Sequence, residues 1–233
     1  MKTKIIATIG PSSLEREIIK QLAENGMNMI RINTSYGNED QYKTILKNLA
    51  ESDPPSKVQK MLDIKNEKIL SFCENNKMDF IAVSFAESRE QILNIKERSQ
   101  NCKIISKIES VKGVENYNEI IEVSDGVMIA RGDLSRAVTI EKVPVLQKKF
   151  TKIALLKKKF VIAATEMLLS MTENPYPTNA EASDVANAVF DKVDAVMLSE
   201  ETAIGKYPVD SVIMMRKIIL ESEKFLEEEK NLL

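Results

Sequence analysis

The sequence predicts an α/β fold, a single (β/α)8 TIM barrel, on three observations. Short β-branched runs alternate with longer amphipathic stretches along the whole chain, the order that builds a parallel sheet. The runs are apolar almost throughout rather than alternating, as strands buried on both faces are. Eight such pairs in 233 residues suit a barrel of this kind. An open doubly wound sheet is the alternative, because a strand count read from sequence can shift by one or two.

The elements follow in order. Strands are expected near 4–9, 27–33, 57–62, 79–85, 103–108, 126–131, 160–165 and 194–199, and helices near 13–25, 38–52, 65–76, 87–99, 111–122, 141–158, 179–191 and 209–228. Pro11, Ser12 and Ser13 are read as opening the first helix, and Gly26 after Asn25 as closing it. Thr178 and Glu181 form a capping box, in which each residue supplies a partner for an unpaired amide at the helix start. Pro54 and Pro55 mark a loop before the third strand, the weakest of the eight. The six methionines Met27, Met29, Met61, Met128, Met167 and Met197 read as core filling. The charged tail EKFLEEEKNLL is expected to fray or to lean on the barrel through Phe225 and Leu226.

Composition excludes several classes. The formal net charge is −2, with 43% hydrophobic and 29% charged residues, so no dedicated nucleic-acid surface is expected. The one basic run, Lys157–Lys159, reads as a solvated helix end. Two cysteines, Cys73 and Cys102, lack metal-type spacing and suggest a reducing compartment. No stretch has transmembrane length and no secretory leader is apparent, so a cytoplasmic protein without a membrane partner is expected. The chain has no histidine. Proton transfer must then use lysine, carboxylates, hydroxyls or water, which rules out Ser-His-Asp and His-metal chemistry.

Function in such barrels sits at the C-terminal strand ends. That rim collects Arg31, Asn33, Ser35, Asp63, Ser84, Lys107, Glu109, Arg131, Asp133, Thr165, Glu166, Ser199 and Glu200. The segments KIES (107–110) and MIARGD (128–133) are the most informative. Lys107 and Glu109 are two apart on a strand and share a face. Glu109 and Asp133, at neighbouring strand ends, suit a hard divalent cation such as Mg²⁺. A lysine beside that ion suits anions and enolates. The competing structural readings are a surface ion pair for Lys107–Glu109, a helix cap for Asp133 and loop shaping for Asn33 and Ser35. Asp63 is read as the N-cap of a shortened helix in preference to a cation ligand.

Eight ordered segments resemble the pyruvate kinase family: TKIIATIGPSS (3–13), GMNMIRINTSYG (26–37), DFIAVSF (79–85), KIISKIES (103–110), SDGVMIARGDL (124–134), EKVPVLQKK (141–149), VIAATEML (161–168) and the long stretch 174–209. The resemblance implies phosphoryl transfer between phosphoenolpyruvate and ADP. It implies Lys107 as the catalytic lysine, with Thr165 and Arg31 also in the catalytic set. It makes Arg131, Gly132, Asp133 and Thr165 the substrate-binding residues, and Glu109 and Asp133 the ligands of Mg²⁺ or Mn²⁺. Asn33, Ser35 and Asp63 would be ligands of a monovalent ion such as K⁺. It leaves a homo-oligomer open.

Departures bear on that expectation. The lid domain that the family inserts after the third strand is read as missing near 63–66, where MLDIK runs into NEKILSFCENN. The C-terminal regulatory domain is read as absent, so residues 1–233 form one barrel domain. Ile64, Tyr36, Ser135, Arg136, Ala137, Asn179, Glu166 and Glu200 differ from the family pattern, mostly on the nucleotide side, which puts ADP or ATP binding in doubt. Two alternatives follow: enolisation, decarboxylation or aldol chemistry on a 2-oxo acid without nucleotide, or an inactive binding barrel.

Overall fold

The computed structural model describes residues 1–232. Its strands are β1 (Lys4–Thr8), β2 (Met27–Asn33), β3 (Gln59–Ile64), β4 (Phe80–Val83), β5 (Lys103–Ile108), β6 (Gly126–Ala130), β7 (Phe160–Ala164) and β8 (Ala195–Leu198). They follow one another in sequence order as a closed barrel, with helices between them, so the expected fold class holds. The chain divides into two compact units. One comprises 1–30, 40–58 and 165–233, the other 31–39 and 59–164.

In the first unit β1 pairs parallel with β8, Lys4 opposite Ala195 through Ala7 opposite Leu198. The helix Asn179–Phe190 starts with the expected capping box, Thr178 and Glu181 bonding reciprocally. The helix Arg16–Glu24 ends at Asn25, and Gly26 follows at φ 119°, a backbone that suits glycine. That helix starts later than expected. Pro11–Ser13 instead form a turn in which the Ser13 amide donates to the Gly10 carbonyl at 2.9 Å. Glu15 is still extended. The tail does not fray within the described residues: it completes the helix Pro208–Leu232, and the half-exposed Phe225 sets its ring 5.6 Å from that of Phe190.

In the second unit β3 to β7 form a continuous parallel ladder, with Met61 opposite Phe80, Phe80 opposite Lys103, Ile105 opposite Gly126 and Gly126 opposite Phe160. Every residue of β4 and β6 is buried, as the unbroken apolar runs require. Tyr117 stacks on Phe150 at 4.1 Å and gives its hydroxyl to the Phe150 carbonyl at 2.7 Å. Cys73 and Cys102 are free and buried. Burial pushes the Cys73 thiol up to about 12, so it is a poor nucleophile. The basic run does close a helix: Val143–Leu156 is capped at Lys157. Lys157 pairs with Glu122, and Lys159 donates to the Ser124 carbonyl at 2.6 Å.

β3 lies two residues later than the sequence pattern suggested. The loop through Pro54 and Pro55 runs further, and the buried apolar residues of the strand are Met61, Leu62 and Ile64, on both its faces. This shift puts Asp63 inside the strand. The expected helix-capping role therefore falls to Asn66, whose side chain accepts from the Lys68 amide.

Gly126 opens β6 where neighbouring backbone comes close. A Cβ there would sit 2.5 Å from the Phe160 carbonyl oxygen and 2.8 Å from Ile105 Cδ1. Gly126→Ala should therefore destabilise the fold by about 1–3 kcal/mol, as overpacking does, read as a lower urea midpoint. An unchanged midpoint would show that the ladder yields there.

Among the described residues no helix is long and apolar enough to cross a membrane. All six core methionines are buried.

Candidate active site

In the second unit the C-terminal ends of β2, β3, β4 and β5 bring together one connected charge network. Asp63, on β3 and 1% exposed, is its centre. Arg31, near the end of β2, gives Nε and Nη2 to Asp63 Oδ2 at 2.8 and 2.7 Å. Lys107 Nζ, on β5, donates to Asp63 Oδ1 at 3.1 Å and to Ser84 Oγ at 3.0 Å. The Ser84 hydroxyl in turn donates to Asp63 Oδ1 at 3.2 Å. A long flexible lysine fixed by two acceptors from neighbouring strands has one place to put its charge.

Glu109 follows β5 and is buried beside that charge, with Oε2 3.3 Å from Lys107 Nζ. Its Oε1 accepts the Phe85 amide at 2.9 Å, while buried Oε2 accepts no hydrogen bond. Burial raises the Glu109 carboxyl above its ordinary value. Lys107 and the Phe85 amide act against that, while like charge on Asp63 and Asp133 adds to it. Asp133 is thus close enough to be felt by Glu109. It sits in the first turn of the helix Arg131–Ala137 with Gly132, and its half-exposed carboxylate meets Arg136 Nη1 at 3.3 Å. Arg136 is solvent-exposed, as a surface residue is, and a pair of this kind is weak. Arg131 is buried.

The remaining expected residues are placed as follows. The Asn33 side chain accepts the Ser35 amide at 3.1 Å, and Ser35 is exposed, an arrangement that shapes the loop after β2. Thr165 belongs to the first unit, where it follows β7 with φ 71°, and Glu166 follows at φ 53°. Glu200 is exposed and Ser199 buried at the end of β8.

Two buried acids, one in each unit, were not legible as such. Asp63 looked like a cap because its strand was placed too early. Glu201 was not singled out, yet it is fully buried and accepts the Leu168 amide at 3.0 Å and the Ser199 amide at 2.7 Å. Its only signal was an acid lodged between the apolar end of β8 and Thr202.

Two stretches of the chain, residues 1–69 and 52–212, match the family model "Pyruvate kinase, barrel domain". The chain belongs to the pyruvate kinase family. It is 46% identical over 154 residues to the pyruvate kinase of Thermotoga maritima, a match covering 64% of this chain and 33% of that protein. It is 44% identical over 178 residues to that of Clostridium perfringens, covering 74% and 37%. Against that of Dictyostelium discoideum it is 50% identical over 167 residues, covering 70% and 32%. The chain thus spans about a third of the length of the curated relatives it matches. Within the family, the segments that carry Lys107, Glu109 and Asp133 lie inside the matched region.

Proposed function

We propose that the chain binds phosphoenolpyruvate or pyruvate with a divalent cation and stabilises the enolate that the two acids share. The supporting observation is the fixed ammonium of Lys107, held within 3.3 Å of Asp63, Ser84 and Glu109. Removing a methyl proton from pyruvate to water leaves negative charge on the C2 oxygen. Removing the phosphoryl group from phosphoenolpyruvate leaves the same enolate. A cation already in place stabilises that charge without reorganising as it develops.

The donor set suits a divalent ion. Glu109 offers a buried carboxylate oxygen that accepts no hydrogen bond, and Asp133 supplies a second, more exposed carboxylate nearby. Among the described residues no three acids or cysteines converge as a ready-made cage. Two carboxylates with substrate and water completing the shell fit Mg²⁺ better than they fit a protein-enclosed ion. When bound, Mg²⁺ or Mn²⁺ would polarise the oxo-acid carbonyl as a Lewis acid. The monovalent-ion set fits less well. Both oxygens of Asp63 are engaged by Arg31, Lys107 and Ser84, and Asn33 Oδ1 is engaged by Ser35, so no step here involves K⁺.

Transfer of the phosphoryl group to ADP is the fuller form of this reading, and family membership favours it. The lid is, in our reading, missing. β3 ends at Ile64 and β4 begins at Phe80, with a 3-10 turn Glu67–Ile69 and the short helix Leu70–Asn75 between them. The family match also divides near this point. An open site admits water and positions phosphates poorly, so transfer should be slow.

Deuterium exchange into the methyl group of pyruvate, followed by NMR with and without Mg²⁺, tests the enolate step. Mg²⁺-dependent exchange is expected, and exchange indifferent to the metal would count against the site. A coupled assay with phosphoenolpyruvate, ADP and Mg²⁺ tests the transfer separately.

A further inference from the structure

Three consecutive residues after β4 are stitched to the charged network. Ser84 bonds Lys107 and Asp63 through its hydroxyl. The Phe85 amide donates to Glu109 Oε1 at 2.9 Å. The Ala86 amide donates to the Lys107 carbonyl at 3.2 Å. Making these contacts in succession forces the middle residue into the left-handed region, φ 49°. Glycine or asparagine adopts that backbone readily; a bulky aromatic does so at a cost. Burial offsets that cost only in part, because Phe85 is 46% exposed. The turn does not call for an aromatic and packing covers only about half of it, and strained positions of this kind gather at ligand sites.

We propose that Phe85 determines specificity at this site as the apolar wall against the third carbon of a 2-oxo acid. The inference rests on the oxo-acid reading above. Charged groups at Lys107, Glu109 and Asp133 serve the carboxylate and oxo end of such a ligand. The opposite end of a three- or four-carbon acid is a methyl, methylene or ethyl group, with nothing to offer a charge. An exposed phenyl anchored to Glu109 through its own amide supplies the apolar surface that end requires. It also disfavours acids carrying a second carboxylate there.

The test compares the unaltered chain with Phe85→Gly and Phe85→Leu, by calorimetry in Mn²⁺. The ligands are oxalate, which has no apolar end, and 2-oxobutyrate, which has one. Phe85→Gly should bind oxalate as the unaltered chain does and lose 2-oxobutyrate affinity by at least ~10-fold, the effect of withdrawing an apolar contact of about a methylene or more. Phe85→Leu should restore most of it. The melting temperature of Phe85→Gly should hold or rise, because the strain is relieved. A lower melting temperature would make the phenyl a packing element and overturn the proposal. So would equal 2-oxobutyrate affinity in Phe85→Gly and the unaltered chain. Failure of the unaltered chain to bind oxalate would overturn the oxo-acid reading itself and this inference with it, a pattern distinct from the first two.

Discussion

Replacing Lys107 by methionine should cut Mg²⁺-dependent deuterium exchange into pyruvate by about 10²–10³-fold, the usual effect of losing one preorganised group at a developing oxyanion. Methionine keeps much of the length and apolar stem of lysine but removes the charge that Asp63, Ser84 and Glu109 hold in place. Lys107→Arg should not rescue the rate. A planar guanidinium cannot present a compact charge between two strand-end acceptors set for an ammonium. The melting temperature must be followed in parallel, because the substitution also leaves Asp63 with one cation fewer. Exchange that persists near its full rate in a folded Lys107→Met protein would place the chemistry elsewhere.

Asp63→Ala should be the most destabilising single change in the network, by about 3–5 kcal/mol. It leaves a buried guanidinium and a buried ammonium without their shared carboxylate. The measurement is the urea midpoint at constant slope. The pair need not be stabilising overall compared with an apolar core; breaking it is what costs. Acid should reproduce the effect. Burial pushes the Asp63 carboxyl up, but the charges of Arg31 and Lys107 and their hydrogen bonds outweigh that and hold it below its ordinary value of 3.8. Below that ordinary value the unfolded chain therefore takes up a proton that the folded chain refuses. The stabilisation is present in full above it and is lost as pH falls through the lowered folded value. Asp63→Asn should flatten this acid limb of the melting profile and lower the plateau above it, because the same ion pairs are lost at every pH. An acid limb of unchanged steepness would show that Asp63 is not the group responsible.

Much of the fold was legible because burial on both strand faces writes itself as unbroken apolar runs, and because caps such as Thr178–Glu181 act within one turn. The pair Lys107 and Glu109 was legible for a similar reason, since two residues apart on a strand share a face. Asp63 was misread because its meaning depends on strand register. Moving β3 by two residues turns a helix cap into a buried hub, and the local residues around it do not reveal which applies. The start of the first helix failed likewise, since Ser13 closes a turn on Gly10 rather than capping a helix.

By itself the sequence determined the alternation of strands and helices, the family, and the residue types available for chemistry without histidine. The first and last are set by composition, by unbroken apolar runs and by a period of 3.6 residues, which are local properties of the chain; the family is carried by eight ordered segments that resemble it. Only the tertiary structure decided that Asp63 binds Arg31 and Lys107 together, that Glu109 keeps a buried carboxylate oxygen without a hydrogen bond, and that Phe85 is held half-exposed in a left-handed turn. Those outcomes depend on contacts between residues from different strands. Such contacts exist only once register and burial have been fixed by the packing of the whole.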